Sequence, residues 1–331
     1  MNIIKIAIIG VGQIGKRHFQ ALKLIDHPVK IFLVDSNKDS ILQVKTEYQK
    51  INEPSQIQSV DYYQNLSSLP YEIDVVIVAT PANVRKKIIE DIVNNNKIRY
   101  LILEKVVFQN PNHFSEINVL LKENNVKAWV NCPLRMVPFF QMLKKKINDS
   151  SNIVSPIDYR VNGSQLNLGS NAIHHLDLVS YLTNDTSFSL DSSLLDQYPT
   201  NSKRHGFLEF TGTLQGKSKL GSTITITSYP EKNVPHLIQI NNIHMRCILK
   251  LNERKAWISE DSLGWEWKEI EFNIPYQSQL THIAVQQIVD GGSCDLPNFS
   301  QSWALHVPLL QTLTAHLEKH GSGRVEFCPI T

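Results

Sequence analysis

Residues 3–35 read IIKIAIIGVGQIGKRHFQALKLIDHPVKIFLVD. An apolar strand, Ile3 to Ile9, runs into a turn carrying Gly10, Gly12 and Gly15. A helix opens near Gln13 and Ile14, and a second apolar run, IFLV, ends on Asp35. This is the sequence form of a dinucleotide site. Gly10 permits the tight turn, Gly12 lets backbone N–H groups approach a pyrophosphate, and Gly15 allows the helix to pack on the strand. The pyrophosphate is then expected at the positive end of the helix. Asp35 bears on the choice of cofactor, because a carboxylate there accepts hydrogen bonds from the ribose hydroxyls and repels a 2′-phosphate. Ser36 and Asn37 supply no arginine for that phosphate, and Lys38 is the nearby cation. NAD is expected in preference to NADP. The competing reading of Asp35 is a cap for the helix that starts near Lys38.

From this segment outward, the chain is long enough for two cores, with 331 residues of which 42% are hydrophobic and 19% charged. A net charge of +2 gives no case for nucleic acid. The run Lys144–Lys146 reads as a solvated helix end, where cations meet the negative pole. The four cysteines, Cys132, Cys247, Cys294 and Cys328, have neither CxxC nor CxxH spacing. They fit reduced residues of a cytoplasmic protein, and no metal site is expected. The first apolar stretch is broken by Lys5, unlike a signal peptide, and no segment has the length of a membrane span.

Apolar runs alternate with helical stretches through the first 130 or so residues. IDVVIVA (Ile73–Ala79), YLIL (Tyr100–Leu103) and KAWV (Lys127–Val130) follow the first two strands, with a weaker strand near Ser59–Tyr62. Lys38–Lys50, Ala82–Asn95 and Asn112–Asn124 have helical length. Continuous apolar runs mean strands buried on both faces, so residues 1–131 are expected to form a doubly wound parallel Rossmann sheet. Residues 132–331 change character. Helices near Met136–Ile147 and Asn171–Leu182 flank a strand near Ile157–Gly163, and alternating strands follow at Gly206–Thr213, Leu220–Thr227, His244–Leu251, Ala256–Glu260 and Trp265–Phe272. Gly212–Gly216 and Asp261–Gly264 read as turns, and helices follow at Ser278–Val289 and Ser300–Lys319. An α+β domain with an open-faced, mainly antiparallel sheet is expected. A bare apolar sheet face favours association, so a homodimer or homotetramer through that face is expected.

Ligands of doubly wound sheets collect at the carboxyl ends of the strands. Glu104 and Lys105 lie there, directly after YLIL. Lys105 can stabilise a developing alkoxide or shuttle a proton, and Glu104 can hold the lysine or contact the cofactor. An ordinary solvated loop pair is the alternative. A second cluster is LGSNAIHHLDLVSYL, Leu168–Leu182. Ser170 or Asn171 can cap a helix on which His174, Asp177 and Tyr181 share one face. A histidine in the first turn is kept neutral by the positive helix end and can act as a base, with Asp177 fixing its tautomer. His175 points about 100° away and reads as structural. Trp265 and Trp267 read as core or dimer packing rather than sugar stacking.

GVGQIGKRH, VIVATP, the Glu104-Lys105 pair and His174-x-x-Asp177 occur in this order over nearly the whole chain. Together they resemble the glucose–fructose oxidoreductase/inositol dehydrogenase (Gfo/Idh/MocA) family. The resemblance implies NAD(P)-linked oxidation of a sugar or cyclitol hydroxyl, or reduction of the matching ketone. It maps the family's catalytic lysine onto Lys105 and its histidine onto His174. Thr80, Pro81 and Glu104 are implied on the cofactor side with the glycine turn, and Arg135 and Asp177 on the substrate side. Arg135 and Asn131 match a polar stretch after the sixth strand, and Arg135 could fork onto a carboxylate or phosphate. Three positions depart from the pattern. Val106 replaces the usual proline, and a cis bond after Lys105 would cost ~3 kcal/mol or more against about 1 for proline, which favours a lysine presented by a trans chain or placed elsewhere. Ser170 stands where many members carry an aspartate, and Arg85 where a histidine commonly follows the VIVATP proline. These departures keep two other readings open: a non-catalytic NAD-binding sensor or scaffold, and an enzyme that re-reduces its own cofactor within one turnover.

Overall fold

The computed structural model describes residues 3–49, 56–149 and 155–331, so Lys50, the expected end of the second helix, lies outside the described residues. Two compact units emerge. The first comprises Met1–Phe108, Asn112–Pro133 and Pro275–Ser300, and the second Gln109–Pro111, Leu134–Ile274 and Gln301–Thr331. A single cut after residue 131 leaves out the returning segment Pro275–Ser300, whose contacts are made with the first unit.

The first unit is built on β1 (Ile4–Ile9), α1 (Gln13–Ala21), β2 (Val29–Val34), α2 (Lys38–Gln49), β3 (Ile57–Tyr63), β4 (Glu72–Val78), α3 (Ala82–Asn95), β5 (Lys97–Leu103), α4 (Asn112–Glu123) and β6 (Lys127–Val130). The strands form one parallel sheet in the order β3-β2-β1-β4-β5-β6. Ile6 of β1 stands between Ile31 of β2 and Val75 of β4, all three fully buried. The stretches 6–9, 31–34 and 75–78 are apolar at every position, as expected where helices cover both faces of a parallel sheet. The order reverses between β1 and β4, which places the glycine turn after β1 at the switch point.

The second unit starts with α5 (Pro138–Asp149), β7 (Asp158–Ser164) and α6 (Leu168–Thr183). Nine strands follow: β8 (Phe188–Leu195), β9 (Thr200–Asn201), β10 (Leu208–Glu209), β11 (Gly212–Ser218), β12 (Thr223–Tyr229), β13 (Leu237–Asn241), β14 (Met245–Lys250), β15 (Lys255–Glu260) and β16 (Trp267–Glu271). All but β9 and β10 join β7 in a sheet of order β16-β15-β14-β13-β7-β12-β11-β8, antiparallel except for the parallel pair β12·β7. On one face Tyr159, Val161, Ile224, Ile226, Ile238 and Ile240 are buried. α6 packs on β12, and its His175 hydrogen-bonds Tyr159 of β7. The chain then adds α7 (Thr281–Gly291) to the first unit and ends with α8 (Phe299–Leu317).

Several local expectations change. Gly212–Gly216 lies inside β11 instead of forming a turn. A Cβ on Gly216 would sit 2.5 Å from Leu190 Cδ2, and one on Gly212 would sit 2.5 Å from the Asp196 nitrogen, so close approach of β8 explains both glycines. The helix expected from Asn171 begins at Leu168, with no side-chain cap from Asn167, and Glu209 of β10 accepts from the Ser170 N–H at 3.2 Å. His174 is therefore almost two turns in, beyond the reach of the positive helix end. Trp265, in the left-handed region at φ 63°, precedes β16, so it does not share a strand face with Trp267. Both are exposed in the monomer, which rules out core packing for them there.

Candidate active site

The glycine turn has the shape a pyrophosphate needs. Gly10 adopts φ 87°, and a Cβ on Gly15 would fall 1.8 Å from the Gly10 carbonyl oxygen. A Cβ on Gly12 would meet nothing within 4 Å, so the turn is open on that side. Gly12 is the N-cap of α1, without a side-chain cap or an acid in the first turn, and the backbone N–H groups of Gln13 and Ile14 head the helix. The residues present therefore fit the diphosphate of a dinucleotide. The VIVATP loop closes on the turn, because a Cβ on Gly10 would lie 2.9 Å from Thr80 Cγ2.

Asp35 is turned toward this site. Its Oδ2 accepts from the Val11 N–H at 2.8 Å and its Oδ1 from the Asn37 N–H at 2.9 Å. The helix α2 is capped by Asn37, whose Oδ1 accepts from the N–H groups of Asp39 at 2.8 Å and Ser40 at 3.4 Å. The capping role weighed for Asp35 belongs to Asn37.

At the carboxyl end of β5, Glu104 is the centre of a buried polar ring. Its Oε1 pairs with His18 Nε2 at 2.9 Å and accepts from Asn131 Nδ2 at 2.5 Å. Asn131 Nδ2 also donates to Gln277 Oε1 at 2.9 Å, Gln277 Nε2 donates to Thr281 Oγ1 at 2.8 Å, and Thr281 Oγ1 returns to His18 Nδ1 at 2.8 Å. Burial pushes the Glu104 carboxyl upward, but His18, Lys105 and Asn131 together outweigh it and hold the group below the usual carboxylate range. It is thus an anion beside Lys105. The sequence marked Glu104 and Asn131 without joining them. The roles of His18, Gln277 and Thr281 were not legible, since only folding brings residue 281 beside residue 18.

Lys105 is half-buried and follows directly. The Lys105–Val106 peptide is cis, where a trans chain was expected from the missing proline. Val106, Val107 and Phe108 are fully buried behind it. Arg85 of α3, itself buried, donates to the carbonyls of Thr80, Val106 and Val107, the last at 2.9 Å. The arginine that stands in place of a histidine therefore ties the loop after β4 to the loop after β5.

In the second unit, Arg135 and Asp177 are joined to each other. Arg135 Nε donates to Asp177 Oδ2 at 2.8 Å and Nη2 to Oδ1 at 2.6 Å, with both residues buried. The guanidinium lies 5.4 Å from the centre of the Tyr181 ring, and its Nη1 reaches Gln301 Oε1 at 3.5 Å. The fork that could grip a free carboxylate is occupied by Asp177, and the oxygens expected to set the His174 tautomer are taken by Arg135. Burial raises the Asp177 carboxyl to about 6, with Arg135 opposing. His174 is half-buried on the same helix. His175 bonds the Tyr159 hydroxyl at 2.7 Å, and burial, aided by His236, lowers its pKa to about 4, which makes it a structural neutral histidine. Among the described residues no group of His, Cys, Asp and Glu could hold a metal ion.

No curated protein matches the sequence. Several solved structures share the fold along nearly the whole chain at low identity. Levoglucosan dehydrogenase in complex with NADH is 15% identical, with a TM-score of 0.72 over 96% of this chain and 98% of that one. UDP-N-acetylglucosamine 3-dehydrogenase from Acidithiobacillus ferrooxidans is 12% identical, with a TM-score of 0.71 over 94% and 97%. The super-repressor mutant of Gal80p from Saccharomyces cerevisiae is 12% identical, with a TM-score of 0.75 over 96% and 97%. Residues 4–132 match the model of the Gfo/Idh/MocA oxidoreductase family, an NAD-binding Rossmann fold.

Proposed function

We propose that this protein is an NAD(H)-dependent dehydrogenase acting on a hydroxyl, or the matching ketone, of a sugar, cyclitol or sugar derivative, including nucleotide-linked sugars. The observation that carries the reading is the ionised Glu104 beside Lys105, hydrogen-bonded to His18 of the helix that begins at the glycine turn. A charged lysine is thereby presented at the end of β5, where an alcohol oxygen gaining negative charge needs a donor. A bound NAD supplies the hydride acceptor. The N–H groups of Gln13 and Ile14 bind its diphosphate, Thr80 and Pro81 line the same loop, and Asp35 takes the adenosine ribose hydroxyls, favouring NAD over NADP. Lys105 steadies the substrate oxygen, and His174 takes or returns the hydroxyl proton. Arg135 and Asp177 serve the substrate side as a fixed pair instead of a free fork. The dehydrogenases of similar fold act on sugar-type compounds, which supports the substrate class. Four cysteines without disulfides support a cytoplasmic location.

Likeness to Gal80p, together with Val106, Ser170 and Arg85 at pattern positions, favours a second reading, an NAD-binding regulator without turnover. The two separate by following absorbance at the NADH wavelength with NAD⁺ and a panel of cyclitols, free sugars, sugar acids and nucleotide sugars. Lys105→Met is run beside the wild type. The expected result is turnover in the wild type that falls by about a hundredfold or more in the variant while NADH affinity holds. Full turnover in the variant removes the role of Lys105. Silence across the panel from a wild type that binds NADH moves the reading to the regulator.

A further inference from the structure

The hydrogen bonds around Glu104 close into a ring, in which the Thr281 hydroxyl lies 2.8 Å from His18 Nδ1 and 3.4 Å from the Gln277 carbonyl. Asn131 uses both N–H bonds of its amide, one on Glu104 and one on Gln277. Gln277 donates onward to the Thr281 hydroxyl. If that hydroxyl donates to His18 Nδ1, then His18 carries its proton on Nε2 and donates it to Glu104. The carboxylate therefore receives two donors on one oxygen from side chains that are themselves held. His18, Glu104, Asn131 and Thr281 are each at most 6% exposed, so water does not compete for these bonds. Two members, Gln277 and Thr281, come from the segment that returns to the first unit after residue 274.

We infer that His18 is a positioning residue for Lys105: held from behind by Thr281, it fixes the Glu104 carboxylate as the lysine's electrostatic partner. The role of Thr281 is to choose the ring nitrogen that faces Glu104. The inference rests on the proposed reading of Lys105 as the group that steadies the substrate oxygen, but its geometry is independent of any substrate. Removing the imidazole leaves a buried carboxylate with one donor fewer, which favours its neutral form and withdraws negative charge from Lys105.

The test uses the full-length protein and two readouts. In His18→Phe, the rate of Lys105 acetylation by acetic anhydride, read by peptide mass spectrometry against Lys127 as internal control, should rise several-fold, roughly threefold or more. With an accepted substrate, kcat should fall about tenfold or more, as expected of a reacting group displaced by a fraction of an ångström, with KM for NAD near the wild-type value. His18→Gln, which keeps an N–H donor on a flexible side chain, should recover part of both effects. Thr281→Val, which leaves the His18–Glu104 contact but frees the tautomer, should shift acetylation in the same direction and decides the matter if His18→Phe does not fold. An unchanged Lys105 acetylation rate in a folded His18→Phe, or in Thr281→Val when that variant must decide, overturns the inference. A changed acetylation rate in a protein that turns over nothing leaves the positioning in place and overturns the dehydrogenase reading instead.

Discussion

At the scale of single residues, the chemistry of this chain is set by how carboxylates are held. Asp35 is fixed by two backbone N–H groups, one of them in the glycine turn, and in the proposed function its carboxylate repels a 2′-phosphate. Asp35→Ser should raise the preference for NADPH over NADH by about tenfold, roughly the worth of one charge contact at a half-exposed site. Paired fluorescence titrations with the two cofactors would measure it, and an unchanged ratio would show that Asp35 does not select. Asp177 is held differently, by a bidentate arginine in a dry place. Asp177→Ala should destabilise the protein by about 3–5 kcal/mol, because Arg135 is left buried without its counter-charge. Replacing both, as Arg135→Met with Asp177→Leu, should cost less than the single change in urea unfolding. The residue types at these positions were readable from the sequence, but their partners were not. Asp177 and His174 share a helix face by spacing, whereas Arg135, which takes both carboxylate oxygens, comes from before α5. Spacing along one helix carries no information about what another segment delivers to it.

Among the elements, the parallel half was legible because its code is redundant. A stretch buried on both faces must be continuously apolar, and β1, β2, β4, β5 and β6 each end in such a run. The second sheet was harder. β8, FSLDSSLL, is an edge strand with half of its positions exposed, so its serines and aspartate hid it, and the short β13 was also missed. Glycines in β11 imitated a turn while serving close approach. The register of α6 on its sheet is set in part by the buried Tyr159–His175 bond, which gives that contact a pH dependence. With its folded pKa depressed to about 4, His175 binds a proton in the unfolded chain before it does so in the folded one. The contribution is complete above the unfolded value of about 6.5, and it is lost as the pH falls from there toward 4. Urea midpoints at neutral pH and near pH 4.5 should therefore differ more in the wild type than in His175→Gln. Equal slopes would show that the histidine does not titrate against folding.

The whole molecule raises the question of what the second sheet's other face is for. An apolar patch was expected there, on the argument that a bare sheet face demands a cover. The register gives a different surface: the row Gln215, Thr225, Arg160, Gln239, Ile248, Trp257, Glu269 crosses the sheet on the side opposite Tyr159 and α6. It is mixed, with Ile248 and Trp257 half-buried side by side among polar neighbours. A face of that composition tolerates water better than a core does, so hydrophobic demand alone no longer argues for a partner. What favours one is chemistry: adjacent strands present threonine, glutamine, arginine and glutamate that a second copy could satisfy in a self-complementary way around a two-fold axis. We therefore expect a homodimer, or a homotetramer built from it, whose contact centres on β13–β15. Ile248→Glu should place a charge at that centre and convert the assembly to monomer, while the change at a half-exposed position leaves the urea midpoint of the monomer nearly unchanged. Sedimentation velocity at micromolar protein would show the shift. A wild type that sediments only as monomer would remove the association, and an assembly that survives Ile248→Glu would move the contact to another surface.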